Sequence, residues 1–294
     1  MSFKSGFVTI IGKPNVGKST LLNALTGEKV AITSKKPQTT RNTIRGIVTR
    51  QDFQIVFIDT PGIHKAKNKL GEYMVNLVFT TMNEVDAVLY MVDATWSDSW
   101  DKDTVEKLKS LKTPVYLIIN KIDMIEKGKL LPMIESCSKE MDFKAIIPVS
   151  AITGEGVDII INEIVAVLPE GPRYFDDDFT TDQPERAIVA EFIREQAFHL
   201  LSDEIPYGVG VEVTQFNERQ DKDLVEIRAV IYCEKDSHKG IIIGKGGKML
   251  KEIGSRARFE IEGLLGVKVY LELWVKVKDD WRNNESMLKM LGYN

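Results

Sequence analysis

The sequence predicts two α/β domains in tandem: a phosphate-loop domain with a mostly parallel sheet and helices on both faces, then a smaller α+β domain. Three observations lead there. Five short β-rich runs, GFVTIIG, QIVFIDT, AVLYMVD, VYLIIN and AIIPVS, end at polar residues and alternate with helical stretches. A glycine loop opens directly after the first run, at Gly12. In the last third of the chain the order changes to helix, strand, strand, helix, helix, strand. Strands alternating with helices mark parallel crossovers, which deliver every strand's following loop to one edge of the sheet, where ligands bind.

The bulk numbers agree. A chain of 294 residues, 43% hydrophobic, is long enough for two cores. Its net charge of −4 gives no global attraction to nucleic acid, so any such binding needs a local basic patch. Cys137 and Cys233 stand far apart without paired spacing, against a disulfide framework or a zinc site and in favour of a reducing compartment. The apolar runs are strand-sized and the N-terminal residues lack a signal-peptide cleavage region, so a cytoplasmic protein is expected, with loose membrane association left open.

In chain order, Gly12-Lys13-Pro14-Asn15-Val16-Gly17-Lys18-Ser19-Thr20 carries the pattern GxxxxGK[ST] between a strand and a helix. Glycines let backbone N–H groups wrap a phosphate chain, Lys18 reaches its outer phosphates, and Ser19 offers a hydroxyl to Mg²⁺. In the polar stretch SKKPQTTRNTIRG, either Thr39 or Thr40 completes the Mg²⁺ shell, with Thr40 preferred. Asp59-Thr60-Pro61-Gly62 ends the next strand, placing a carboxylate to hold Mg²⁺ through water and a glycine where backbone approaches a γ-phosphate. Arg41, His64 and Lys65 are polar residues of these mobile loops; they either touch the transition state or, as loop charges mostly are, stay solvated, the second being preferred.

Asn120-Lys121-Ile122-Asp123 follows VYLII. Guanine presents N1–H and a 2-amino group side by side, two donors that one carboxylate can accept, whereas adenine lacks that pair, so Asp123 selects guanine. Ser150-Ala151, after the last strand, offers backbone N–H groups to the guanine O6. The helix in GEGVDIIINEIVAVLPEG, stopped by Pro169 and Gly171, closes the first domain at residues 1–169. Residues 170–185, with six acids against one arginine, read as a solvated linker.

The second domain, 186–294, starts with a helix whose stripe is Val189, Phe192, Ile193, Ala197, Leu200 and Leu201, with His199 beside it as a structural residue. Two strands, VGVEVTQF and DLVEIRAVIYC, are joined by the polar NERQDK. Then comes GIIIGKGGKML, which lacks GK[ST] and instead places Gly244-Lys245-Gly246-Gly247 as a GxxG turn between helices, a loop that clamps a sugar-phosphate backbone. Between Lys235 and Arg258 seven bases face two acids, while the domain as a whole carries 17 bases and 18 acids. Candidate RNA contacts are Lys239, Ile243, Gly244, Lys245, Gly246, Gly247, Lys248, Lys251 and Arg256. In VKVYLELWVKVK, alternation puts Lys268, Tyr270, Glu272, Trp274 and Lys276 on one face, where Trp274 either stacks on RNA or packs.

The set GKPNVGKS, TTR, DTPG, NKID and SA, in this order, resembles the translation-factor-related GTPases, and with the type II KH element order the whole chain resembles the Era family of bacterial GTPases. The resemblance implies a GTP/GDP switch with Mg²⁺, single-stranded small-subunit ribosomal RNA near its 3′ end as partner, and a role in small-subunit assembly. A monomer is expected, with peripheral attachment to the inner face of the cell membrane left open. Lys18, Thr40 and Asn15 are the catalytic candidates. Ile63 stands where Ras-like enzymes place a water-orienting glutamine, so intrinsic hydrolysis is expected to be slow. Relatives of this kind use potassium held partly by a phosphate-loop asparagine, here Asn15; the alternative is that Asn15 only shapes the turn. Two rivals remain: a phosphate-transferring metabolic enzyme, which the guanine reader opposes, and a constitutive RNA-binding protein with the first domain as scaffold.

Overall fold

The computed structural model describes residues 2–34, 36–95, 101–219 and 223–293. Residues 220–222 of the NERQDK connection lie outside these. The chain forms two compact units. The first comprises 1–31, 40–65 and 74–182; the second comprises 32–39, 66–73 and 183–294.

In the first unit β1 (Lys4–Gly12), β3 (Phe53–Asp59), β4 (Ala87–Asp93), β5 (Val115–Asn120) and β6 (Ala145–Pro148) are parallel. The sheet order is β2-β3-β1-β4-β5-β6. β2 (Ile44–Thr49), which the sequence reading assigned to a polar loop, pairs antiparallel with β3 at the edge. Every residue of β4 and β5 is buried, as expected of strands covered on both faces. One face packs α1 (Lys18–Thr26) and α5 (Val157–Val167) through Leu21, Leu22, Ile160 and Ile164. The other packs Val78 and Met82 of α2 (Lys69–Met82), Val105 and Leu108 of α3 (Lys102–Lys109), and Cys137 of α4 (Leu130–Ser138). The order reverses around β1, and the Gly12 loop leaves the sheet at that switch point.

The stretch 170–182 is not a free spacer. Gln54 accepts from the Tyr174 and Phe175 N–H groups and donates to the Phe175 carbonyl, and Ile47 N–H donates to Thr180 O. Its acids Asp176, Asp177 and Asp178 are nevertheless exposed. The sequence shows the acids but not the buried Gln54 that captures the backbone.

The second unit has α6 (Glu185–Leu200), then antiparallel β7 (Gly210–Arg219) and β8 (Leu224–Cys233), with a bulge between Val213 and Gln215. α7 (Asp236–Ile243), α8 (Lys248–Leu265) and β9 (Lys268–Val277) follow, β9 running parallel to β8. A last helix, α9 (Glu285–Met290), went unread in the sequence. Ile193, Ala197, Ile227, Ile253 and Ile261 pack the core, which also takes in Ile32 from the segment 32–39. Among the described residues no helix is long and apolar enough to cross a membrane.

Candidate nucleotide and nucleic-acid sites

β1 ends at Gly12 and α1 begins at Lys18, so the loop between them is set by a strand on one side and a helix N-terminus on the other. That helix has no acid in its first turn, leaving its partial positive charge for an anion. Gly17 has φ 105°, and a Cβ there would sit 2.2 Å from Asn120 Nδ2, so no other residue fits. Asn120 Nδ2 donates to Val16 O at 2.7 Å while its Oδ1 accepts from Ala151 N at 3.0 Å. One asparagine thus ties the phosphate loop to the loops after β5 and β6.

Lys18 is buried and its ammonium donates to Gly12 O and Lys13 O, both at 3.1 Å. Burial pulls its pKa down to about 8, against the pull of Asp59. Ser19 Oγ donates to Asp59 Oδ2 at 2.6 Å and meets Thr40 Oγ1 at 2.9 Å, and Thr40 reaches Asp59 at 3.4 Å. Burial pushes the Asp59 carboxyl up to about 6, opposed first by Lys18. Its second oxygen, Oδ1, is buried without a hydrogen-bond partner. Two hydroxyls beside a carboxylate with an unsatisfied oxygen form a hard-oxygen set that suits Mg²⁺. Of the two threonines it is Thr40 that joins this cluster; the Thr39 hydroxyl donates to Lys36 O at 2.8 Å.

Several expected residues take other roles in the structure. Thr60 Oγ1 donates inward to Ile10 O at 2.8 Å, and the Val16 side chain lies in the core, leaving only their backbones for a ligand. The Ser150 and Ala151 N–H groups, expected at a guanine O6, donate instead to Glu155 O and Asn120 Oδ1, because Asn120 must be fixed before it can brace the loop. Arg41, expected in solvent, is buried. His64 Nδ1 lies 2.9 Å from Gly62 O. Gly62 is required by close approach: a Cβ would lie 2.8 Å from Pro14 Cα and N. Ile63 N–H donates to Gly12 O at 3.0 Å and its side chain packs against the second-face core, offering no polar atom to a water.

At the end of β5, Lys121 takes φ 66° and its ammonium bridges Asn15 O at 2.8 Å and Asp93 at 2.5 Å. Asp93 was missed in the sequence; its position at the polar end of AVLYMVD was the available signal. Asp123 Oδ1 accepts from Ser150 Oγ at 2.6 Å, which orients the carboxylate. Asn15 is exposed with φ 65°, the conformation of a turn-shaping asparagine.

In the second unit Gly244, Gly246 and Gly247 have φ of 74°, 61° and 75°. Lys245, Gly246, Lys248, Lys251 and Arg256 are exposed, Lys239 is half-buried, and Ile243 packs against the core. Arg256 Nε donates to Glu252 at 2.7 Å, so part of its charge is already answered. His199 Nε2 lies 3.0 Å from Thr33 O, a structural contact. Tyr270 and Trp274 are both more than half exposed on the outer sheet face.

A family model described as 50S ribosome-binding GTPase matches residues 7–121, and one described as KH domain matches residues 204–282. The chain is 61% identical to GTPase Era of Ruminiclostridium cellulolyticum over 100% of its own length and 98% of that protein's. It is 56% identical to GTPase Era of Alkaliphilus metalliredigens over the whole of both. Among solved structures it matches Era in complex with MgGDPNP and nucleotides 1506–1542 of 16S ribosomal RNA, at TM-score 0.95, 41% identity and 99% coverage of each chain. It also matches a variant of Aquifex aeolicus Era bound to GDP and AlF4⁻, at TM-score 0.94, 40% identity and the same coverage.

Proposed function

The chain belongs to the Era family of GTPases, and from that premise we propose a switch whose nucleotide state governs how the Gly244–Gly247 turn holds single-stranded RNA. The RNA is the small-subunit ribosomal RNA near its 3′ end, and the setting is assembly of the small subunit. What supports that target is the 41% identical relative solved with such a segment. What supports the mode is a GxxG turn in a patch of lysines.

In this reading the backbone from Gly12 to Thr20 cradles the phosphates and Lys18 neutralises the outer ones. Ser19 and Thr40 hold Mg²⁺ directly, Asp59 holds it through water, and Thr60 to Gly62 meet the γ-phosphate by backbone. Mg²⁺ when bound neutralises charge on the β- and γ-phosphate oxygens. Asn120, Lys121 and Asp123 form the base site, with Asp123 accepting from guanine; Ser150 orients that carboxylate through its hydroxyl and Ala151 holds Asn120 through its N–H. With Ile63 unable to orient the attacking water, intrinsic turnover is slow; a potassium ion bound at the phosphate loop would be held in part by Asn15 and would supply positive charge there. The protein acts as a monomer in the cytoplasm, a reducing compartment that its two buried thiols, Cys137 and Cys233, suit.

The observation that carries the nucleotide reading is the buried Asp59 carboxylate, one oxygen tied by Ser19 and the other without a partner, beside Lys18. A buried charge in that condition is costly unless a cation completes it. RNA affinity measured on protein loaded with a GTP analogue, with GDP, or with neither tests the switch. Affinities that differ by about tenfold, one hydrogen bond's worth of coupling, are expected; identical affinities would leave the first unit as a scaffold.

A further inference from the structure

We propose that Asp93, the last residue of β4, is a positioning residue for nucleotide binding: it holds the Lys121 ammonium against the phosphate loop and so locks that loop to the turn at residues 120–123. The inference rests on the reading of that turn as the guanine site, and every residue it uses belongs to the first unit.

Sheet register brings the parts together. β4 and β5 run parallel with Asp93 paired to Asn120, and the Ala94 N–H donates to Asn120 O at 2.8 Å. The carboxylate at the end of one strand therefore stands beside the turn that leaves the other. Its side chain is 6% exposed, and each oxygen has its own partners. Oδ1 accepts from the Thr95 N–H at 2.9 Å and from Thr95 Oγ1 at 2.7 Å, a local turn that sets the plane of the carboxylate. Oδ2, so aimed, accepts from the Lys121 ammonium at 2.5 Å. Burial alone would push the carboxyl up, yet Lys121 and Thr95 hold it below its ordinary value, so a full charge faces the ammonium.

Lysine is an unusual residue for the place Lys121 occupies. Its φ of 66° and ψ of 36° are left-handed, a conformation that a non-glycine residue keeps only where its surroundings impose it. Its ammonium has a second partner, Asn15 O in the phosphate loop at 2.8 Å, and Asn15 is itself left-handed at φ 65°. One side chain thus joins two sharply bent loops. Its stem is flexible, so it keeps that geometry only while its tip is fixed, and Asp93 fixes the tip.

Stability does not account for the pair. Replacing a buried ion pair by apolar groups is commonly neutral or stabilising, so a carboxylate in this place points to the loop that its ammonium holds. Asn120 already braces the phosphate loop at Val16 O; Asp93 adds a second tie one residue further on, at Asn15 O.

The test uses the full-length protein with Asp93→Asn, Thr95→Val, Lys121→Met, Asp123→Asn and the double variant Asp93→Asn/Lys121→Met, each measured for affinity and dissociation rate with GDP and a GTP analogue. Asparagine keeps the shape but has one oxygen where two are needed, for Thr95 and for Lys121. With one charge-assisted hydrogen bond lost, Asp93→Asn should weaken GDP and the GTP analogue alike by about tenfold, through faster dissociation. Guanine selectivity should survive: Asp123, oriented by Ser150, is untouched, so the ratio of GDP to inosine diphosphate affinity stays within about twofold. Because Asp93 acts through Lys121, the double variant should match Lys121→Met within about twofold. Thr95→Val loosens the carboxylate, should shift the same readouts in the same direction by about threefold, and supplies the test if Asp93→Asn does not fold. Losses that multiply in the double variant, a loss confined to one of the two nucleotides, or no loss in Asp93→Asn while Asp123→Asn shows its own, would overturn the positioning role alone. No loss in Asp123→Asn would overturn the guanine-site reading and the proposal with it.

Discussion

Replacing Asp123 by asparagine isolates base selection from every other contact in the site. Asp123 Oδ1 accepts from Ser150 Oγ at 2.6 Å, and an amide oxygen accepts the same bond, so the variant keeps its loop and its stability within about 0.5 kcal/mol. Toward the ligand the change is severe. A carboxylate accepting from guanine N1–H and the 2-amino group makes two charge-assisted bonds, each worth about 1.5–3 kcal/mol, so losing both costs at least about 3 kcal/mol. That is a Kd raised by about 150-fold or more. Xanthine carries an oxygen in place of the 2-amino group, which the amide can donate to, so xanthosine diphosphate should bind the variant better than GDP does. Inosine diphosphate lacks only the amino group, and wild-type protein should lose about tenfold for it. Displacement of fluorescent GDP by the three diphosphates reads all of this. A variant that holds GDP within about threefold of wild type, or loses GDP and xanthosine diphosphate alike, refutes the assignment of Asp123 as the guanine acceptor.

Three more outcomes follow from the same sites. Gly246→Asp meets nothing within 4 Å of its Cβ and puts aspartate, one of the few non-glycine residues found at φ near 61°, under modest strain of about 1 kcal/mol; it should weaken RNA binding by about tenfold or more, by placing a carboxylate against phosphate, while GDP affinity holds, and intact RNA binding would move the site elsewhere. Asp59 has its pKa raised from 3.8 to about 6, so its contribution to nucleotide-free stability is full below about pH 4 and is lost as pH rises through about 6, at most about 3 kcal/mol; denaturant curves of wild type and Asp59→Asn should diverge over that window, and parallel curves count against the burial argument. Turnover should be about tenfold faster in potassium than in sodium and lose that difference in Asn15→Ala; equal rates for wild type in the two salts exclude the cation role for Asn15.

The two glycine loops, the Asn120–Asp123 turn and the strands that carry them were legible because each is a local pattern: short runs of fixed spacing at the ends of apolar strands. What lay beyond reach was set by tertiary contact. Thr39 and Thr40 are indistinguishable as residues, and their contacts separate them: Thr40 meets Ser19 and Asp59 while Thr39 Oγ1 donates to Lys36 O. IRGIVT was hidden as a strand because it follows a threonine-rich loop and pairs only at the sheet edge, where one neighbour suffices. The segment 170–182 read as a spacer because its acids are exposed, while Gln54, the residue that holds its backbone, sits in a distant strand. One clue stood in the open: Arg194, Glu195 and Gln196 fall in the middle of a helix whose apolar positions surround them, leaving no dry face without a charge. All three are buried, and two of them grip the loop that leads to Thr40.

Gly12 and Gly17 of the first loop and Gly246 and Gly247 of the second share positive φ but differ in what surrounds them. At Gly12 and Gly17 a Cβ would strike protein, Met91 O at 2.3 Å and Asn120 Nδ2 at 2.2 Å, so these glycines exist to let the loop pack against its own sheet and close tightly around a small, multiply charged group. At Gly246 and Gly247 a Cβ would meet nothing within 4 Å. Their positive φ, 61° and 75°, is what calls for glycine, and the turn they make is open in front; only Gly244, where a Cβ would lie 2.7 Å from Met249 Cβ, is crowded as the first loop's glycines are. A polymer backbone lying across the turn fits such an open site, whereas a nucleotide's triphosphate needs donors on several sides at once. A first loop crowded from behind and a second left open in front therefore favour a nucleotide in one and a passing strand of RNA in the other, within one chain.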